Sequence, residues 1–218
     1  LGCINVHASL LPEYRGASPI QQVLLDGKTK TGISVIYMDA GMDTGDIILQ
    51  QELSINQYDN AGTLHDRLSE LGGITIEKAL KMFERGRPYG IPQDSNQATY
   101  CKKIEKSMGE IRWMESADKI CNLVPWPGAF TFFENGTRLK IYKAVETNAM
   151  ATKNHIPGMI LKADGINGLI VACGHGTVRL LELQQQGGKP MTDLDYLRGN
   201  SVKTGICLGK AVKPVKQD

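Results

Sequence analysis

Residues 31–53 read TGISVIYMDAGMDTGDIILQQEL and contain two apolar runs separated by an acidic loop. The first run, residues 31–38, is rich in β-branched residues and predicts a strand, and residues 47–53 predict another. The loop between them, residues 39–46, holds three carboxylates and two glycines. Its spacing does not meet the ligand pattern of a calcium loop. Asp and Gly are also the usual residues of a tight turn, so the loop alone does not identify a functional site.

The segments around these strands alternate between strand and helix patterns. Residues 1–6 predict a buried strand, and residues 18–27 predict a short helix with Ser at the N-cap, Pro at the first position and Gly at the end. Residues 60–85 carry apolar side chains at helical spacing, and we expect Gly72 and Gly73 to divide them into two helices. Strands that alternate with helices predict an α/β sheet.

The character of the sequence changes after residue 85. Residues 86–99, GRPYGIPQDSNQAT, lack periodicity and predict a linker. A helix pattern at residues 116–124 is followed by short strand patterns, and Asn135-Gly136 predicts a hairpin with a type I′ turn. Short strands separated by turns at regular spacing favour a small β-barrel.

Composition excludes several classes of protein. No apolar run approaches the length of a membrane span. The five cysteines are scattered without a C-x-x-C pair, which argues against a disulfide framework or a cysteine zinc site. The chain opens with Leu rather than Met, inside a strand pattern and without a signal peptide, so we interpret it as a fragment whose upstream part is missing.

Charge is divided unevenly along the chain. Residues 1–105 contain ten Lys and Arg against thirteen Asp and Glu, a net charge of −3, whereas residues 106–218 contain fifteen against ten, a net charge of +5. The basic half could contact a polyanion, or it could simply be a solvated surface.

Asn5 and His7 form the first candidate for a chemical site. Residues two apart in a strand point to the same side, so the strand would present a carboxamide and an imidazole together. We expect them at the C-terminal end of a parallel strand, where open α/β sheets bind ligands. Asn can donate to a developing oxyanion, and His can act as acid, base or donor. The alternative is a buried pair satisfied by neighbouring backbone.

Three motifs together resemble one family. NVHASLLPEYRGASPIQ, TGISVIYMDAGMDTGDI and PWPGAF occur here in the order found in the folate-dependent formyltransferases. The GMDTGDI version and the stretch GGKPMTDLDYLRGNSVKTG resemble the branch of that family that acts on methionyl-tRNA. The resemblance covers residue 1 to about residue 209.

The resemblance implies an α/β fold in two domains. Residues 1–86 would be the C-terminal half of a Rossmann-like formyltransferase domain, and residues 87–105 would be a linker. Residues 106–218 would form an OB-like β-barrel that binds tRNA. Because strands and loops that precede residue 1 in the family are missing, we expect this chain by itself to be inactive.

The resemblance also implies a site. The family's catalytic trio corresponds to Asn5, His7 and Asp43, and its folate-contacting segment corresponds to Ser9, Leu10, Leu11 and Pro12. The implied reaction transfers a formyl group from 10-formyltetrahydrofolate, a cosubstrate, to the amino group of initiator methionyl-tRNA for translation initiation. It requires no metal. We expect a cytoplasmic monomer with no membrane contact, and we expect four lysines near the C-terminus to contact tRNA phosphates: Lys203, Lys210, Lys213 and Lys216.

Two other interpretations remain open on the sequence. One keeps the chemistry but changes the substrate, giving an amino-sugar formyltransferase or a 10-formyltetrahydrofolate hydrolase module. The other is an RNA-binding protein whose catalytic half has decayed, against which the presence of Asn5, His7 and Asp43 argues.

Overall fold

The chain divides into two units, residues 1–104 and residues 105–218. The computed structural model describes residues 2–57, 59–126, 128–147 and 155–209. Lys210, Lys213 and Lys216, which we expected to bind phosphate, lie outside these residues. Within them, no helix is both long enough and apolar enough to cross a membrane.

The first unit is built from the following elements in chain order: β1 Ile4–His7, β2 Arg15–Gly16, α1 Pro19–Leu25, β3 Lys30–Tyr37, β4 Ile47–Ser54, α2 Ala61–Phe83, a 3-10 turn Ser95–Gln97 and β5 Tyr100–Cys101. Three of the strands form a sheet in the order β1-β3-β4, α2 packs against this sheet, and α1 packs against α2. The core of the unit includes Val23, Ile33, Leu64 and Leu68.

The predicted strands are present, but their directions differ from our expectation. β1 pairs with β3 antiparallel, and β3 pairs with β4 antiparallel, so among the described residues β1 is not a parallel strand. The seven-residue helix α1 rises only about 10 Å, whereas the eight-residue β3 spans about 26 Å. The chain therefore enters β3 at the end where it left β1. Val6 is 39% exposed, so β1 is only partly buried.

Helix α2 is continuous from Ala61 to Phe83, so the predicted break at Gly72 and Gly73 is wrong. Gly72 is buried, and a Cβ there would lie 3.7 Å from Val6 Cγ1 and 3.8 Å from Ile33 Cδ1. Glycine keeps its amide hydrogen bond and costs a helix only about 1 kcal/mol per residue. Packing of this face on the sheet offsets that cost.

Most of the segment expected to be a linker, residues 87–105, belongs to the first unit and is bonded to its strands. Ile91 exchanges backbone hydrogen bonds of 2.8 Å with Ile47. β5 then pairs in parallel with β2, with Arg15 opposite Tyr100. This part of the segment is held by long-range hydrogen bonds that its composition did not reveal.

The second unit is built from the following elements in chain order: a 3-10 turn Lys106–Gly109, α3 Ala117–Leu123, β6 Phe130–Phe132, β7 Arg138–Thr147, β8 Ile160–Asp164, β9 Gly168–Ala172, β10 Thr177–Gln185, β11 Met191–Thr192 and α4 Asp193–Gly199. The strands form a sheet in the order β6-β7-β10-β9-β8, with β11 beside β10. The helices α3 and α4 pack on this sheet over a core that includes Ile120, Leu139, Leu169 and Tyr196.

Pairing of the described strands leaves this sheet open, and a closed barrel is not found among them. β6 and β8 are its two edges. The irregular residues 205–209 lie along both edges, because Ile160 N donates to Ile206 O and Gly209 N donates to Phe132 O, each at 2.8 Å. A glycine-rich segment rather than a strand therefore lies between the edges.

The predicted hairpin at Asn135-Gly136 is confirmed, because β6 pairs antiparallel with β7. Its turn is not type I′. That type needs positive φ at both central residues, and here Gly136 has φ +80° whereas Asn135 does not have a positive φ. Gly136 N instead donates to Phe133 O at 2.9 Å, which gives a longer loop.

Candidate active site

The structure brings together the side chains of Asn5, His7 and Asp43. Asn5 Nδ2 lies 3.5 Å from Asp43 Oδ1, and His7 Nδ1 lies 3.6 Å from Asp43 Oδ2. The period of two along β1 places Asn5 and His7 on the same side, as predicted. His7 is only 6% exposed, whereas Asn5 is half-buried. An amide, an imidazole and a carboxylate therefore meet at the edge of the first sheet.

The other ring nitrogen of His7 is committed to the backbone. Nε2 lies 2.8 Å from the carbonyl oxygen of Tyr14. A carbonyl can only accept, so Nε2 carries a hydrogen and donates it. Nδ1, which faces Asp43, is then the nitrogen that can exchange a proton with a bound molecule.

Tyr14 is fixed in place for this contact. Its backbone has φ +62°, and its hydroxyl donates to Asp26 Oδ2 at 3.0 Å. Burial, and to a smaller extent the hydrogen bond to Asp26, raises the pKa of the Tyr14 hydroxyl well above its usual value. The hydroxyl therefore remains a donor. The Tyr14 carbonyl thus gives His7 a fixed orientation.

Asp43 lies in the loop between β3 and β4 and has the left-handed value φ +55°. Asp39 closes the turn that contains Asp43, because Asp39 Oδ1 accepts from Gly41 N at 3.0 Å and from Thr44 Oγ1 at 2.7 Å. Asp43 Oδ2 accepts from Gly16 N at 2.9 Å. Asp39 therefore has the turn-forming role typical of Asp, whereas Asp43 points its carboxylate at Asn5 and His7.

Glycine is required at position 45 of this loop. A Cβ on Gly45 would lie 1.8 Å from Tyr37 O, closer than any side chain tolerates. The loop can return to β4 at this distance only because position 45 has no side chain.

The segment from Ser9 to Pro12 lies beside the trio, but its backbone is largely engaged within the protein. Ser34 Oγ donates to Ser9 O at 2.6 Å and accepts from Leu11 N at 3.0 Å. Gln50 Nε2 donates to Leu11 O at 2.8 Å. Ser9 and Leu11 are 1% and 3% exposed. Leu10 and Pro12 are half-buried, so these two present the accessible surface of the segment.

Sequence reasoning missed several groups that contact the trio. The Tyr14 carbonyl and the Gly16 amide are backbone atoms, and no residue pattern predicts their directions. Gln93 Nε2 donates to Asp43 O at 2.8 Å, but Gln93 falls in the segment interpreted as a linker. The Arg15-Gly16 pair that follows the segment from Ser9 to Pro12 was the one available signal, since Gly16 N donates to Asp43 and Arg15 bonds to Gln93.

The described residues contain no cluster of side chains suited to binding a metal ion. No group of three or more His, Cys, Asp or Glu side chains there could hold an ion. All five cysteines are free thiols.

The chain matches two family profiles along most of its length. Residues 1–80 match the family described as formyl transferase, and residues 103–201 match the formyl transferase C-terminal domain. A methionyl-tRNA formyltransferase of Alkaliphilus metalliredigens is 42% identical over 214 residues, which are 96% of this chain and 67% of that protein. A methionyl-tRNA formyltransferase of Geobacter metallireducens is 44% identical over 95% of this chain and 66% of its own length.

Solved structures are similar as well. A methionyl-tRNA formyltransferase from Clostridium thermocellum has a TM-score of 0.52 and 26% identity, over 68% of this chain and 65% of that one. An N-formyltransferase from Helicobacter canadensis, solved with folinic acid and dTDP-3-aminofucose, has a TM-score of 0.63. At 23% identity over 80% of this chain and 64% of that one, the second likeness shows the fold alone. The chain spans about two thirds of the length of its curated relatives, and it belongs to the methionyl-tRNA formyltransferase family of formyl-transferring enzymes.

Proposed function

We propose that Asn5, His7 and Asp43 catalyse transfer of a formyl group from 10-formyltetrahydrofolate to the α-amino group of initiator methionyl-tRNA, for translation initiation. The observation that carries this proposal is the convergence of the three side chains, with Asp43 Oδ1 and Oδ2 lying 3.5 Å and 3.6 Å from Asn5 Nδ2 and His7 Nδ1. Acyl transfer needs donors for a developing oxyanion and a group that moves a proton, and this trio provides both.

Asn5 and His7 would stabilise the tetrahedral intermediate. When the methionyl amine attacks the formyl carbon, the formyl oxygen becomes negative. Asn5 Nδ2 and protonated His7 Nδ1 both have a hydrogen to donate to it, whereas His7 Nε2 is occupied by Tyr14 O. Their contacts with Asp43 exceed the 2.7–2.9 Å of a strong charge-assisted hydrogen bond, so both donors can turn to the substrate.

Asp43 would accept the proton that the attacking amine loses. The amine loses a proton as its bond to the formyl carbon forms, and Asp43 accepts that proton directly or through a water. N10 of the folate then takes this proton from Asp43 as its bond to the formyl carbon breaks, so that no net proton is gained or lost. The Gly16 amide holds Asp43 Oδ2, which leaves Oδ1 and the far side of the carboxylate for the substrate. The reaction needs no covalent enzyme intermediate.

The folate would rest on the segment from Ser9 to Pro12. Since the backbone of Ser9 and Leu11 is engaged by Ser34 and Gln50, we infer that these two residues support the segment from within. The half-exposed side chains of Leu10 and Pro12 would then contact the flat ring system of the cosubstrate.

The second unit would bind the tRNA. It carries a groove of about 590 Å³ lined by three cationic residues, Lys106, Arg138 and Lys140, and no carboxylate. Arg138 lies over the Phe130 ring at 3.8 Å, and its buried Nε has no hydrogen-bond partner among the described residues. Cations beside aromatic rings are typical of sites for nucleic-acid backbone and bases. We also infer an OB-like arrangement, supported by residues 205–209 lying along both sheet edges.

The choice of acceptor substrate tests the proposed function. Methionyl-tRNA and an amino-sugar nucleotide are offered separately to the complete gene product that includes residues 1–218, with radiolabelled 10-formyltetrahydrofolate. Label is expected in the methionyl-tRNA. Label in the sugar, or free formate with neither acceptor, would replace this proposal by one of the two related activities.

His7→Ala tests the alternative of a pure RNA-binding protein. The variant is expected to retain tRNA binding and to lose formyl transfer, because the polar partners of His7 among the described residues, Tyr14 and Asp43, belong to the proposed catalytic site. Normal transfer by the variant would remove His7 from the mechanism.

Arg138→Ala tests the groove. The variant is expected to weaken tRNA binding and to lower the slope of affinity against salt by about one unit. Lys162→Ala on β8, at the other edge of the sheet, serves as the control and is expected to leave the slope unchanged. Equal slopes for Arg138→Ala and the parent protein would exclude the groove.

A further inference from the structure

Gln93 holds the backbone on both sides of Thr44 in the loop that carries Asp43. Its Nε2 donates to Asp43 O at 2.8 Å and to Gly45 O at 2.7 Å. Both hydrogens of one side-chain amide are therefore used on the same turn. The turn includes Asp43 in the left-handed conformation, which residues other than glycine adopt uncommonly and Asp more often than most.

The other end of the Gln93 amide is fixed by a buried cation. Arg15 is 2% exposed, and its Nε and Nη2 donate to Gln93 Oε1 at 3.0 Å and 2.8 Å. Arg15 Nη1 donates to Tyr100 Oη at 3.1 Å. No ion pair joins Arg15 to a carboxylate in the part of the chain that the structure describes. A buried guanidinium that uses its fork on a neutral amide holds that amide in one orientation.

The same segment also holds the opposite side of the site. Thr99 Oγ1 accepts from Tyr14 N at 2.8 Å, and Thr99 O accepts from Arg15 N at 2.9 Å. Tyr14 O is the acceptor for His7, and Gly16 N is the donor to Asp43. Thr99 thus fixes the backbone of Tyr14 and Arg15, next to the groups that bond His7 and Asp43, and Gln93 holds the backbone of Asp43 itself.

We propose that Gln93, oriented by Arg15, is a positioning residue that sets the Asp43 carboxylate against His7 and Asn5. This inference rests on the proposed function for its kinetic consequence, but its structural consequence is independent of any substrate. Without the two bonds from Nε2, the left-handed turn would relax and the carboxylate would leave its place. A displacement of about 1 Å in a reacting group costs on the order of a hundredfold in rate.

Gln93→Glu separates positioning from stability. The new carboxylate still accepts from Arg15, now as an ion pair, but it has no hydrogen to donate to Asp43 O or Gly45 O. The variant loses two hydrogen bonds of about 1 kcal/mol each, so its Tm is expected to fall by about 4–8 °C, and its kinetics are measured well below that temperature, where the protein is folded. Its kcat for formyl transfer is expected to fall about ten- to a hundredfold, with KM for both substrates within about twofold.

Gln93→Ala and Gln97→Ala complete the kinetic set, all made in the complete gene product. Gln93→Ala loses the bonds to Arg15 as well as those to Asp43 and Gly45, and it is expected to lower kcat at least as much as Gln93→Glu does. Gln97 is exposed, and among the described residues its side chain bonds only to Asp94 in the same turn, so Gln97→Ala is the matched control with unchanged kcat. A kcat for Gln93→Glu within twofold of the parent protein would overturn the proposal.

Amide hydrogen exchange gives a readout that needs no substrate. The Gly16 amide is protected by Asp43 Oδ2, so Gln93→Glu is expected to speed its exchange at least tenfold while amides within α2 keep their rates. Unchanged exchange at Gly16 would overturn the positioning role even if kcat fell. Faster exchange at Gly16 without formyl transfer by the parent protein would instead retain the positioning role and reject the proposed function.

Discussion

Asn5→Ala removes one proposed donor to the oxyanion and leaves almost everything else unchanged. The Asn5 side chain is half-buried, and its hydrogen bond to Asp43 Oδ1 is 3.5 Å, long for a bond of this kind. Its loss should lower the free energy of unfolding by less than about 1 kcal/mol. For a chain of 218 residues this is a fall in Tm of only about 2–4 °C.

The effect on catalysis should be much larger than the effect on stability. Removing one oxyanion donor raises the barrier by about 2.7–4 kcal/mol, or 10²–10³-fold in rate. Because the donor acts on charge that exists only in the transition state, kcat and kcat/KM should fall together while KM stays nearly constant. The difference between these two magnitudes assigns Asn5 to catalysis rather than to folding.

Single-turnover formylation of methionyl-tRNA measures this difference. Asn96→Ala is the matched control, since Asn96 is exposed on the 3-10 turn of the same unit and is expected to change neither rate nor Tm. A loss of less than about threefold for Asn5→Ala, or a loss explained entirely by a higher KM, would refute the role given to Asn5.

Three further predictions concern the fold and its thiols. Gly73→Ala should raise the free energy of unfolding by about 0.5–1 kcal/mol in a denaturant titration, because no atom lies within 4 Å of the added Cβ, and an unchanged or lower value would contradict the packing of α2. Gly45→Ala should lower the Tm and abolish transfer, because its Cβ would lie 1.8 Å from a backbone carbonyl oxygen, and normal activity would show that the loop tolerates a side chain. Burial raises the pKa of half-buried Cys121 to about 11 and of buried Cys173 to about 12. At pH 8 iodoacetamide should therefore modify exposed Cys3 first and the other two thiols more slowly, and equal rates in the native protein would contradict these raised pKa values.

The parts of the fold that depend on residues close together in the sequence were predictable from the sequence. The strand patterns at β3 and β4, the helix beginning at Pro19 and the period of two that joins Asn5 to His7 all rest on local geometry. These features were enough to locate two members of the trio on one strand.

The features that sequence reasoning missed depend on tertiary contacts. Gly72 and Gly73 suggested a break in α2, but the contact of Gly72 with Val6 and Ile33 comes from packing on the sheet. Residues 87–105 were interpreted as a linker from their composition and lack of periodicity, which do not reveal hydrogen-bond partners as distant in sequence as Tyr14 is from Thr99, 85 residues away.

The convergence of Asp43 on β1 could not be worked out from the residues either. The family resemblance implied it, whereas the distance between the loop and β1 is set by Gly16, Gln93 and the left-handed turn at Asp43. The direction of β1 relative to β3 was missed because it depends on whether the short α1 can carry the chain back along the sheet.

A double-mutant cycle on His7 and Asp43 tests the central claim most directly, which is that the two side chains act as one unit in formyl transfer. The kcat of formylation is measured for the parent protein, His7→Gln, Asp43→Asn and the double variant. With Nδ1 and Oδ2 only 3.6 Å apart, the double variant is expected to be no slower than the more damaged single variant, within about threefold. Losses that multiply, so that the double variant falls by the product of the two single effects, would show that His7 and Asp43 act independently and would contradict the account.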